Sequence, residues 1–189
     1  MSQDKNKLQE FAQNIGYLAD SIRYESLAIS QGQTFFKSKV QVSFNLGIRI
    51  TEEGIGATKL VAQNNAAAAA LKTLKANHPE LAVNWKTVDM EAQAGDALIK
   101  LAAYLTDKLS SSEAKSRWLQ RVESDANLEA MFDKLHQEQD PSVAMFGKNI
   151  GKKHKATWME ALIWEWFNNK GLPPTLKQNL QVVFDFLEE

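Results

Sequence analysis

A chain of 189 residues, 44% of them hydrophobic, can bury one large core or two small ones, and its net charge of −1 sets it apart from strongly basic proteins dedicated to nucleic acid. It has no cysteine, which excludes disulfides and thiolate metal sites. It has no apolar run of 18 residues, and its opening residues lack both a hydrophobic segment and an arginine-rich pattern. A soluble, intracellular, most simply cytoplasmic protein without a membrane partner is therefore expected.

In chain order, Leu8, Phe11, Ala12 and Ile15 fall at i, i+3, i+4 and i+7, the stripe of an amphipathic helix. Tyr24 to Ile29, Phe35 to Phe44 and Ile48 to Thr51 read as three strands. In the second of them Val40, Val42 and Phe44 alternate with Lys39, Gln41 and Ser43, so one face is buried and the other wet. Gly54-Ile55-Gly56-Ala57-Thr58-Lys59 comes next. Its two glycines permit a tight or positive-φ turn, Thr58 is an N-cap, and Ala62 and Ala66 to Ala70 favour a helix from about Leu60 to Lys75 that can lie close against a sheet. The start of that helix aims backbone N–H groups and the Lys59 amine at a nearby anion.

This α-β-β-β-α order, with Gly54-Ile55-Gly56-Ala57-Thr58-Lys59 running into alanines, resembles the double-stranded RNA-binding domain over roughly Lys7 to Ala76. That family reads duplexes by shape and by phosphate and 2′-hydroxyl contacts. The resemblance implies phosphate contacts from three lysines at the start of the second helix and from the loop between the first two strands. Lys59 matches the first lysine. Leu60 and Gln63 stand at the other two places, and the loop, Ser30-Gln31-Gly32-Gln33-Thr34, has no histidine. Lys37, Lys39 and Arg49 are candidate compensating contacts from the sheet, against the plainer reading of a solvated strand face.

His78-Pro79-Glu80 stops the alanine helix, because proline disfavours helical backbone at the residue before it. The chain is expected to divide into residues 1–78, a connector 79–88, and a helical region 89–189. Apolar stripes recur at Ala97, Leu98, Leu101, Ala102 and Leu105, then past Ser110-Ser111-Ser112 at Leu119, Val122, Leu128, Met131, Phe132 and Leu135. A third stripe is Met159, Leu162, Ile163, Trp166 and Phe167, and a fourth lies past Gly171-Leu172-Pro173-Pro174, at Leu176, Leu180, Val183, Phe184 and Leu187. The fold class is therefore α+β, an α-β-β-β-α domain followed by an all-α one.

Three fragments of the helical region resemble the ribonuclease III domain: Gly95-Asp96-Ala97-Leu98, Ser124-Asp125-Ala126-Asn127-Leu128 and Glu160-Ala161-Leu162-Ile163. The resemblance implies a carboxylate cluster that holds divalent metal. Its four acidic places read Ala92, Asp96, Thr157 and Glu160, so Asp96 and Glu160 are remnants. Asp89 and Glu91 lie nearby, but Glu91 is about 100° around the helix from Ala92 and does not replace the missing acid. Gln93 stands where the family carries a bulky dimer-interface residue. The chain's one compact basic run, Lys148 to Lys155, reads either as a solvated loop or as a phosphate contact. His136 and His154, without paired ligand spacing, read as surface residues.

These readings converge on an RNA-associated protein that binds duplex or structured RNA, with a degenerate, non-catalytic ribonuclease III-like scaffold and no cofactor. Lys59, Lys37, Lys39, Lys152, Lys153 and Lys155 are its candidate RNA contacts. A protein partner, or a dimer through the helical region, is a further expectation. One alternative is a Mg2+-dependent endoribonuclease rearranged around Asp89, Asp96 and Glu160. Another is a protein-interaction module that binds no RNA.

Overall fold

The computed structural model describes residues 3–31, 33–106 and 108–170. Helix α1 (Asp4–Asn14) leads into strands β1 (Ile22–Gln31), β2 (Gln33–Ser43) and β3 (Arg49–Gly56), and then helix α2 (Lys59–Asn77). The sheet is antiparallel in the order β1-β2-β3. Its alternation is the one the sequence sets: Val40 and Val42 are buried with Ile50, Leu8, Ala12 and Ile15. The observed α-β-β-β-α unit followed by helices confirms the α+β class.

Two local expectations are corrected. The expected loop from Ser30 to Thr34 is strand on both sides of residue 32, with β1 running to Gln31 and β2 starting at Gln33. Gly54 and Gly56 form no turn but are extended residues of β3. They are glycines because α2 crosses them at backbone distance. A Cβ on Gly54 would stand 2.3 Å from the Ala66 nitrogen, and one on Gly56 would stand 2.7 Å from the Ala62 nitrogen. Register lines up Ser26, Ser38 and Gly54 in one row of small residues, and Ala62, Ala66, Ala67 and Ala70 are buried on α2. The buried Ser38 hydroxyl lies 3.0 Å from Ser26 Oγ, and Gln63 on α2 donates to Ser26 Oγ at 3.3 Å.

Beyond a short 3-10 turn at Pro79–Leu81, the helices are α3 (Trp85–Leu105), α4 (Ser112–Val122), α5 (Asp125–Gln137) and α6 (Lys152–Lys170). Helix α3 starts inside the expected connector. Ser111 caps α4 by accepting the Ala114 N–H at 3.1 Å. The apolar stripe from Leu176 to Leu187 and the break at residues 171–174 lie outside the described residues.

The chain forms two compact units: residues 1–84 with 130–155, and residues 85–129 with 156–189. Division by sequence at residues 78 and 88 therefore differs from division by contact, because a later segment joins the first unit. That segment is pinned by backbone bonds. Gly147 N–H donates to the Ile15 carbonyl at 2.7 Å and Asn149 N–H to the Gly16 carbonyl at 3.0 Å. The Tyr17 hydroxyl accepts from Asn45 N–H at 2.7 Å and lies 3.1 Å from the Met145 carbonyl, as its donor. Asn45 Nδ2 donates to the Phe146 carbonyl at 2.7 Å. Gly16, at φ +82°, admits no side chain, since a Cβ would stand 2.5 Å from the Ile150 nitrogen.

Candidate nucleic-acid interface

Thr58 caps α2, its Oγ1 accepting the Val61 N–H at 3.2 Å. The remaining first-turn N–H groups have no partner within the helix and carry the positive end of its dipole. Lys59, in that turn, is exposed. The start of α1 lies alongside: Lys5 N–H donates to Asn64 Oδ1 at 3.1 Å, and Lys5 Nζ donates to Gln63 Oε1 at 3.2 Å. The same ammonium stands 4.9 Å from the centre of the Tyr24 ring. Burial pushes the Tyr24 hydroxyl up to about 12, so it is a neutral phenol at any physiological pH. Leu60, at the place of the second lysine, is 61% exposed and offers a phosphate nothing. The interface at this end is a short cationic spot bordered by apolar side chains.

Lys37 and Lys39 lie on the sheet face away from α1 and α2. Lys37 is paired with Glu53 at 2.7 Å. Lys39 sits in register between Glu25 on β1 and Glu53 on β3. Lys39 therefore stands in an alternating charged row, and Lys37, in register with Leu27 and Ile55, is drawn to that row through Glu53. Arg49 is exposed at the other end of β3, in register with Ser43.

The basic run belongs to the first unit. Lys148, Lys152, Lys153 and His154 are exposed, whereas Lys155 is half-buried, with its ammonium 2.7 Å from Asp133 Oδ1 and 5.9 Å from the centre of the Phe132 ring. His136 is no plain surface residue. It stacks on Phe132, and its Nε2 lies 2.8 Å from the Phe146 carbonyl, which requires a proton on Nε2.

The second unit joins two of the ribonuclease III-like fragments. Gly95 on α3 lies against the backbone of Glu160 on α6, where a Cβ would stand 1.9 Å from the Glu160 carbonyl oxygen. The Glu160 carboxyl is half-buried, and burial, then the Asp96 and Asp125 charges, raise its pKa. Asp96 is occupied by Lys100, one helical turn on, whose ammonium is 2.6 Å from Oδ2. Lys100 escaped the sequence reading, although its i, i+4 spacing from Asp96 was legible there. Its own pKa is raised by the Asp96 hydrogen bond and by the charges of Asp96, Glu123 and Glu160. Asp89 is exposed on α3. Among the described residues no three carboxylate or histidine side chains converge closely enough to hold a metal. An apolar hollow of about 450 Å³ in this unit is lined by Leu98, Leu101, Trp118, Ile163 and Phe167, among others.

No described helix is long and apolar enough to cross a membrane. Comparison with curated proteins and with solved structures gives no match. The ribonuclease III-like fragments lie beyond the one stretch for which a family model was matched. That stretch, residues 5–74, runs from the first turn of α1 to the last turn of α2 and matches the model described as double-stranded RNA binding motif, which supports a double-stranded RNA-binding domain over those residues.

Proposed function

We propose that this chain docks on duplex RNA through its amino-terminal domain, and that its helical part is a non-catalytic, ribonuclease III-like platform. The observation that carries the first half is the motif match over residues 5–74, on a unit whose capped α2 start exposes Lys59. Such domains take the duplex by its shape and its phosphates, which asks for cations and N–H groups at that helix start. The second half rests on the acids. Ala92 and Thr157 stand at two of the four acidic places, and Lys100 occupies Asp96. A protein partner would seat on the helical part, where Trp166 is 63% exposed.

The test is fluorescence anisotropy of a labelled RNA duplex of about 20 base pairs, longer than the roughly 16 base pairs such a domain spans. Binding at low salt that weakens as salt rises is expected, and Lys59→Ala should weaken it and reduce the salt slope by about 1. No binding at low salt overturns the RNA reading. Magnesium-dependent cutting of the duplex that disappears in Asp96→Asn overturns the non-catalytic one.

A further inference from the structure

We infer that the open face of the sheet, the one turned away from α1 and α2, is an interface for a second copy of this chain. The inference goes beyond the RNA reading and does not depend on it. The outward residues fall in rows set by the register. Leu27, Lys37 and Ile55 stand side by side in one row, and Glu25, Lys39 and Glu53 in the next. The face of an antiparallel sheet that meets only water reads polar. Here Leu27 is 72% and Ile55 60% exposed, and Phe35, the next outward residue of β2, is 40% exposed. The two rows line a groove of about 510 Å³. Exposed apolar side chains rimmed by charge mark an association surface.

The charges select the occupant. A dimer about a two-fold axis needs a face complementary to itself. The row Glu25-Lys39-Glu53 alternates in sign from strand to strand. A copy of it therefore fits over the original when displaced by one strand. A two-fold axis lying along the strands, between β1 and β2, produces that displacement. It sets β1 of each copy over β2 of the other, about 10 Å away as in packed sheets. Each Glu25 then faces Lys39 of the other copy. By the same operation Leu27 lies between the Lys37 stem and Ile55 of the other copy, and Ile29 faces its Phe35. An axis along β2 itself would set Lys39 on Lys39 and Glu25 on Glu53, like charge on like. The charges required are available. Lys37 closes an ion pair with Glu53 at 2.7 Å, whereas among the described residues Glu25 and Lys39, opposite in register, close none. The contact covers fewer residues than the roughly 20–30 a side of a standard interface, so the dimer is weak, with a Kd of about 10–100 μM. Helices α1 and α2, on the opposite face, stay open in both copies.

Sedimentation velocity of the full chain without RNA, over about 5–300 μM, should show monomer passing to dimer as concentration rises. Lys39→Glu and Glu25→Lys should each weaken dimerisation about tenfold or more, since either sets like charges face to face. An equimolar mixture of the two variants should associate again, because each carries the charge that the other lacks. Leu27→Ser, which leaves every charge in place, should weaken association about tenfold through lost apolar burial. A native chain that stays monomeric throughout overturns the inference. So does a dimer that the three single substitutions leave intact, which assigns association to another surface. A mixture of the two charge variants that stays monomeric overturns the pairing of Glu25 with Lys39, and the inference with it.

Discussion

Gly95 sits where α3 meets the Glu160 carbonyl, with no room for a methyl group. Gly95→Ala must push backbone against backbone, and overpacking of that kind costs about 3 kcal/mol. The melting temperature should fall by about 10 °C, read by circular dichroism; an unchanged melt would mean that the two segments do not touch. Glu160 gives a second prediction at this scale. Burial and the neighbouring acids raise its folded pKa, so the folded state holds that proton more tightly than the unfolded chain does. Its contribution to stability is therefore present below the unfolded value, near 4.3, and is lost as pH rises through the raised folded one. Glu160→Gln should melt above the native protein at pH 7, with the gap closing at pH 4. The gap should be small, about 1–3 °C, because water screens a half-buried carboxylate. An equal gap at both pH values would trace the effect to packing instead.

Among the elements, the segment from Ala130 to Lys155 shows how much of the first unit lies outside the matched motif. Tyr17 is its hinge pin. The ring stacks on Phe44 at 4.3 Å, and the hydroxyl serves Asn45 N–H on the β2–β3 turn and the Met145 carbonyl on the later segment. Tyr17→Phe keeps the ring and orphans both backbone groups, a loss of about 2 kcal/mol. Hydrogen exchange should quicken at Asn45, Gly147 and Asn149 well before the centre of β2 is affected. Uniform loss of protection would mean that the segment folds only with the sheet. The contact between β3 and α2 makes the complementary point. Its closeness is a property of a row, Ser26, Ser38, Gly54 and the α2 alanines, in which every member is small.

Across the whole molecule, charge follows the two units more closely than it follows the sequence halves. Residues 1–78 carry +3 and the remainder −4. With residues 79–84 and 130–155 added, the first unit has fourteen Lys/Arg and ten Asp/Glu, a net +4, and the second unit carries −5. That is a modest excess for an RNA domain, and the duplex titration should show it. With two or three phosphates neutralised at one end, the slope of log affinity against log salt should be about −2 to −3. A slope several units steeper would require cations beyond Lys59 and Lys5 at that end.

The order of elements in the first unit, the cap at Thr58, the stop at His78-Pro79 and the helical character of the region beyond it were all legible in the residues alone. Each is a local matter of period, propensity or punctuation, written within a few positions. The pairing of Asp96 with Lys100 was within reach for the same reason. What the glycines at 54, 56 and 95 are for emerged only in the folded chain, because each answers to a backbone brought in from elsewhere. Folding likewise paired Lys37 with Glu53 and Lys155 with Asp133, and fastened the basic run to the end of α1 in the first unit. Those partners are 16 to more than 130 residues apart, and no local pattern records a neighbour that folding alone supplies.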